Sequence, residues 1–250
     1  MLLTGKTAIV TGGARDIGKA ISLQLAALGA NVAVNYFNNR NDADVTVNLI
    51  QKNGGTAVAI QADITEWSQC LKLVSETQKH FGEYIHILVN NAGGLVARKT
   101  LQEMDVDFWD TIMTLNLKSV FMMHKATAEN MPKGSAIVNL ASLAGRDGGG
   151  GGASAYATAK GAVMTFTRAM AKELGPKGIR VNALCPGMIA TAFHDTFTPD
   201  HIREKVAGGT PLRREGRADE IAHMVGCLAS ETSSFVTGAC IDINGGLAFS

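Results

Sequence analysis

Thr7-Ala8-Ile9-Val10-Thr11-Gly12-Gly13-Ala14-Arg15-Asp16-Ile17-Gly18 is the stretch that decides the fold. A run with strand character enters a glycine turn, and the turn opens directly into a helical pattern over Ile17–Leu28. Glycines let a backbone turn tightly and bring its N–H groups close to a ligand. At a helix start those groups and the helix dipole together favour an anion. Outward from this unit the same rhythm repeats. Val32–Val34, Ala57–Ile60, Ile85–Val89, Ala136–Leu140, Ile179–Leu184 and Cys240–Ile243 read as further strands. They are apolar without strict alternation, the pattern of strands covered on both faces of a parallel sheet. Helical patterns such as Glu66–Phe81, Phe108–Met131 and Ser154–Leu174 lie between them. Seven strands alternating with helices predict an α/β fold, one doubly wound parallel seven-stranded sheet with helices on both faces. Its ligand is expected at the carboxyl ends of the strands.

Composition narrows the function. The 250 residues suit a single domain, 46% of them are hydrophobic and 18% charged, and a chain of that kind can bury a large core. Lys plus Arg (23) nearly balance Asp plus Glu (22), which argues against a nucleic-acid or membrane-surface partner. No apolar run approaches the roughly 18 residues of a spanning helix. The first residues show no basic start followed by an apolar core, so no secretory signal is expected. Cys70, Cys185, Cys227 and Cys240 are scattered without a Cys-x-x-Cys pair. Neither a metal site nor a disulfide framework is expected, and a reduced, cytoplasmic setting fits. Gly148–Gly152 is the one compositional oddity, read as a flexible loop beside the expected site.

The chemistry points to Tyr156-Ala157-Thr158-Ala159-Lys160. Spacing of i and i+4 puts Tyr156 and Lys160 on one helix face. A free tyrosine titrates near pH 10, and an ammonium beside it is expected to bring the phenol closer to useful acid–base chemistry. Ser142, at the end of the fifth strand, offers a hydroxyl that can donate to a substrate oxygen. In the ribose pocket, Tyr36 stands where a cofactor-binding acid would end the second strand. No carboxylate there repels a 2′-phosphate, and Arg15 can pair with one; Asn35, Asn38 and Arg40 are further candidates. The alternative is that Arg15 only neutralises Asp16. NADPH is the favoured cofactor, with NADH possible.

These motifs together resemble the short-chain dehydrogenases/reductases, in the family's order from about residue 5 to 246. The glycine turn is similar to T-G-x-x-x-G-x-G, with Asp16 replacing the middle glycine. Asp tolerates a left-handed backbone, yet its charge stands close to a phosphate site. Asn90-Asn91-Ala92-Gly93 resembles the family's N-N-A-G element, and Asp242-Ile243-Asn244-Gly245-Gly246 its C-terminal strand and turn. The resemblance implies a single Rossmann-like domain, with a dinucleotide-binding half at about 1–140 and a catalytic and substrate-binding half at about 141–250. It implies Asn116, Ser142, Tyr156 and Lys160 as the catalytic four. Cofactor contacts are implied at Gly12, Arg15, Asp16, Ile17, Gly18, Tyr36, Asp63, Ile64, Asn90, Ala92 and Gly93. Tyr156, Lys160, Pro186, Gly187, Ile189 and Thr191 complete that set. It further implies a homotetramer assembled through long helices.

Two segments carry a narrower resemblance. Asn90–Lys99 and Ala190–His194 are similar to stretches of reductases that act on the open-chain oxo-uronate released from alginate. Arg98 and Lys99 are therefore candidate carboxylate contacts, or else two solvated loop cations, and His194 is a candidate substrate contact. A 3-oxoacyl-carrier-protein reductase and a sugar or polyol dehydrogenase are competing enzyme readings. A nucleotide-binding regulator that has kept the fold is the non-enzyme alternative, supported only by Asp16 in the glycine turn.

Overall fold

In the computed structural model, which describes residues 2–249, seven strands form one parallel sheet in the order β3-β2-β1-β4-β5-β6-β7. They are β1 Thr7–Val10, β2 Asn31–Tyr36, β3 Thr56–Gln61, β4 Ile87–Asn90, β5 Ala136–Leu140, β6 Arg180–Pro186 and β7 Cys240–Ile243. All the pairings are parallel. The expected doubly wound sheet is present.

Period-two geometry sends alternate strand residues to opposite faces. Ala8, Val10, Val32 and Val34 pack with Ile21 and Leu25 of α1 (Asp16–Ala27) and with Ile221 and Val225 of α10 (Ala218–Ala229). Ile9, Ala33, Leu88 and Ile137 face the other way, onto Leu73 of α3 (Trp67–Phe81), Met123 of α5 (Ser119–Thr127) and Leu174 of α7 (Ser154–Leu174). Helices on both sides explain why the strands read as continuous apolar runs.

The winding reverses between β1 and β4, so a crevice opens beyond their carboxyl ends. Thr11 and Asn91 stitch its two walls. The Thr11 hydroxyl accepts the N–H groups of Asn91 and Ala92 at 3.0 and 3.1 Å. The Asn91 amide donates to the carbonyls of Thr11 and Gly12 at 3.0 and 3.1 Å.

Two regions depart from the sequence expectation. The helix expected over Phe108–Met131 is α4 (Val106–Met113), a π-helical segment (Thr114–Lys118) and then α5. The glycine tract follows a short helix, α6 (Ala144–Asp147), and is pinned rather than free. Arg98 donates to the Gly151 carbonyl at 2.9 Å, and the Lys99 N–H to that of Gly152 at 3.1 Å. A Cβ at Gly152 would come within 2.9 Å of Arg98, so this glycine is required by close approach as well as by its φ of +73°.

Candidate active site

The glycine turn is built for close approach. A Cβ at Gly18 would run into the Gly12 carbonyl, and one at Gly13 would lie 2.8 Å from the Ser22 hydroxyl oxygen. The first N–H groups of α1 have no acceptor within their own helix, so they are available to an anion. This cradle fits a pyrophosphate. Asp16 adopts φ +50°, the left-handed conformation expected at the family's glycine position. Its Oδ1 accepts the Ala192 N–H at 3.1 Å, and its Oδ2 lies 3.8 Å from the Nε of the exposed Arg15.

Around the expected ribose and adenine sites the side chains divide. Tyr36 ends β2, nearly buried, with its hydroxyl beside the Arg40 guanidinium. Arg40 also donates to Asp44 at 3.1 Å. Asn35 is no ribose ligand: its Oδ1 accepts the Gly12 N–H at 3.2 Å and its amide donates to Ala62 of the next segment at 3.0 Å. Asp63 uses Oδ1 to hold the Thr65 N–H and hydroxyl at 2.9 and 2.6 Å. Three of the expected cofactor contacts turn their side chains inward. Asn90 turns into the sheet and donates to Asn139 at 2.8 Å, and Ile64 and Ile189 pack in the core. Only their backbones remain for a ligand.

Asn116, Ser142, Tyr156 and Lys160 converge beyond β4 and β5. Asn116 lies within the π-helical segment, a feature frequent at functional sites. Fully buried, it accepts the Gly94 N–H at 2.9 Å and donates to the carbonyls of Gly94 and Ile112 at 2.9 and 3.0 Å. Lys160 donates to the Leu140 carbonyl at 2.7 Å and sits 5.7 Å from the centre of the Tyr156 ring. Burial pushes its ammonium down to about 8. Burial also holds the Tyr156 phenol above its ordinary value, against the lowering effect of a hydrogen bond with Ser142. The expected lowering of the phenol by Lys160 is therefore not what governs it, because Lys160 is turned toward a backbone carbonyl. A phenol held protonated at neutral pH is suited to donating a proton.

Gly93 forms the floor. A Cβ there would lie 2.6 Å from Asn116 Oδ1 and 3.1 Å from Lys160 Nζ. Three hydrogen bonds hold the Asn116 amide, so it cannot easily give way. Gly93→Ala is expected to leave the melting temperature within a few degrees of wild type while lowering kcat at least about tenfold, as misplacement of reacting groups does. Steady-state kinetics beside a thermal melt check this, and wild-type kcat would refute the packing argument.

At the mouth, Arg98 bridges two segments. Its Nε donates to the Phe197 carbonyl at 3.1 Å and its Nη1 to the Gly151 carbonyl at 2.9 Å. Just before it, the Ala97 N–H donates to Leu95 across Val96, whose φ is +62°. This is a strained γ-turn for a β-branched residue, and it aims the segment that carries Arg98. Lys99, its neighbour, pairs with Asp105 at 3.0 Å and lies 4.5 Å above the Phe108 ring. His194, on α8 (Ala192–Phe197), meets the Thr198 hydroxyl at 3.0 Å, and burial lowers its pKa. The sequence reading missed Phe193, whose ring centre is 6.2 Å from that of Tyr156. Its position between Thr191 and His194 was the available signal. The Phe197 and Gly151 carbonyls are backbone groups with no such signal.

Pro186 ends β6, and the Gly187 N–H donates to Ile243 of β7 at 2.9 Å. Thr191 stands at the start of α8. The site draws on both expected halves of the chain, because Gly93 lies against both Asn116 and Lys160. Among the described residues no three His, Cys, Asp or Glu converge on a possible metal position, and no helix is long and apolar enough to cross a membrane.

A parallel seven-stranded sheet with a glycine turn at its switch point and a Ser–Tyr–Lys–Asn cluster defines a nicotinamide-dependent oxidoreductase. Comparison with known proteins agrees. The family described as enoyl-(acyl carrier protein) reductase matches residues 12–248. A 3-oxoacyl-[acyl-carrier-protein] reductase, FabG, of Staphylococcus aureus is 38% identical over 97% of this chain and 98% of its own. A short-chain dehydrogenase/reductase from Serratia marcescens superposes with a TM-score of 0.94 at 33% identity, each chain covered in full. A blue fluorescent protein from a metagenomic library, solved with NADPH, gives 0.92 at 36%, again over both whole chains. The NADH-dependent reductase A1-R′, responsible for alginate metabolism, gives 0.91 at 32% over 99% of each chain. The chain belongs to the short-chain dehydrogenase/reductase family and acts on carbonyl or alcohol groups with a nicotinamide cofactor.

Proposed function

We propose that this enzyme reduces the carbonyl of a small, polar, carboxylate-bearing substrate such as an open-chain oxo-uronate, with NADPH preferred over NADH. The observation that carries the substrate class is Arg98. It reaches the Phe197 carbonyl at the end of α8, and among the described residues its side chain is held by carbonyl oxygens, with no carboxylate partner. A guanidinium in that state can exchange weak acceptors for the two oxygens of a substrate carboxylate. A solved neighbour active in alginate metabolism supports the same class.

The bound cofactor supplies the hydride. Ser142 accepts the Ala144 N–H at 3.1 Å, which steers its own hydrogen toward a substrate oxygen. Tyr156 delivers a proton to that oxygen as the carbon is reduced. Lys160 keeps a positive charge 5.7 Å from the centre of the ring that becomes a phenolate, and Asn116 fixes the floor on which Lys160 and Gly93 meet. The NADPH preference rests on Tyr36 in place of an acid, with Arg15 and Arg40 as nearby cations. The half-exposed Trp109 and Phe121 on α4 and α5 support a homotetramer built through these helices, and the scattered, unpaired cysteines suit a cytoplasmic setting.

Reduction of a 3-oxoacyl chain on an acyl-carrier protein is the second reading, supported by the 38% identical relative. One assay separates them: oxidation of NADPH and of NADH, followed by absorbance, across an oxo-uronate, a neutral keto-ester and a 3-oxoacyl carrier protein. Oxo-uronate reduction is expected with NADPH ahead. Arg98→Ala is expected to raise KM for the oxo-uronate roughly ten- to a hundredfold, the effect of losing a charge-assisted pair, and to leave the keto-ester nearly unchanged. Equal effects on both would refute the carboxylate role. Turnover confined to the carrier protein would favour the second reading.

A further inference from the structure

The carboxylate of Asp16 stands where a glycine would satisfy the backbone without strain, because the residue adopts φ +50°. A side chain retained in a left-handed conformation calls for a compensating contact. That contact is the Ala192 N–H, which donates to Asp16 Oδ1 at 3.1 Å across 176 positions of sequence. Ala192 begins α8, the helix that carries Phe193 against Tyr156. At its far end the Phe197 carbonyl receives Arg98. One hydrogen bond thus joins the glycine turn, on the cofactor side, to the root of the segment that covers the substrate side.

We propose that Asp16 is a positioning residue that fastens the root of the α8 lid to the glycine turn, so that closure of the lid is coupled to occupancy of the cofactor groove. Its role toward the cofactor rests on reading that turn as the pyrophosphate site; its hold on the lid does not. The carboxylate would repel a pyrophosphate if it were unpartnered, and two neighbours offset that charge. One is the Ala192 N–H. The other is the guanidinium of Arg15, 3.8 Å from Oδ2. A closed lid keeps both the charge partnered and Phe193 beside Tyr156. An open lid exposes the carboxylate to the phosphates, so release of the cofactor and opening of the lid favour each other.

Asp16→Gly and Asp16→Asn separate geometry from charge. Gly suits the φ of this position and is the family's residue there, so the variant is expected to fold. Asn keeps an Oδ1 acceptor without the charge. Amide hydrogen exchange of Ala192–Phe197 is read in the free enzyme. It should be faster in Asp16→Gly by roughly three- to tenfold, the span of one partly exposed hydrogen bond. In Asp16→Asn it should stay within about twofold of wild type, because the acceptor is retained. Stopped-flow release of NADPH should slow in Asp16→Asn, where the lid holds and the repulsion is gone. Wild-type exchange in Asp16→Gly, or equally fast exchange in both variants, would overturn the fastening. Unchanged exchange in Asp16→Asn with quicker NADPH release would keep the fastening and overturn the coupling.

Discussion

Tyr156→Phe is expected to lower turnover by at least about a hundredfold while leaving nicotinamide cofactor binding within about twofold of wild type. The substitution removes one hydroxyl and keeps the ring, so its packing near Phe193 is preserved. The loss falls on proton donation, which typically contributes about a hundred- to ten-thousandfold. Burial holds the phenol above its ordinary pKa, so wild-type enzyme carries the donor in its protonated form at neutral pH. Single-turnover kinetics with a fluorescence titration of the cofactor separates chemistry from binding. Near-normal turnover, or a matching loss of cofactor affinity, would reassign the residue.

Lys160→Met is expected to abolish turnover and raise stability together. Lys160 is 4% exposed, and burial holds its ammonium at about 8 against an ordinary 10.5. Below pH 8 the fold therefore carries a charge it would rather release, a cost of about 3 kcal/mol at 1.36 kcal/mol per pH unit. Methionine has nearly the same length and no charge, but it leaves the Leu140 carbonyl without its donor, a loss of about 1–2 kcal/mol. The net gain is about 1–2 kcal/mol, or about 2–8 °C in Tm for a chain of this size. The sign can be tested through pH. Because the folded pKa lies below the unfolded one, the native state binds fewer protons between about 8 and 10.5, and wild-type stability rises across that window through this group. The variant's advantage should shrink over the same range. Melts of both proteins from pH 7 to 10 check it, and an advantage that grows with pH would contradict the buried charge.

The sheet and the catalytic cluster were legible because period and spacing carry them. Apolar runs such as Ala136–Leu140 report burial on two faces, and Tyr156 with Lys160 reports a helix face through i and i+4. The mouth was less legible. Arg98 and Lys99 are adjacent cations in sequence, yet one reaches the Phe197 and Gly151 carbonyls while the other pairs with Asp105. Neighbouring residues on an irregular segment diverge according to its turns, and the γ-turn at Val96 leaves no mark in composition. Asp16 shows the same limit. Its left-handed backbone followed from residue type, whereas its bond to Ala192 depends on where a segment far along the chain returns.

The π-helical segment at Thr114–Lys118 makes this helix an awkward target for improvement by sequence. It holds one residue more than an α-helical turn needs, and each residue of an α-helix turns the chain by about 100°. Trimming one residue from the segment would regularise the hydrogen bonds and swing everything on one side of the cut by that angle. Either the buried side chains of α5, Met122 and Met123 among them, would leave their packing, or Asn116 would leave Gly94. Procedures that reward regular helices, and lineages that accept single-codon deletions, meet at this point a trade between an orderly backbone and a working enzyme.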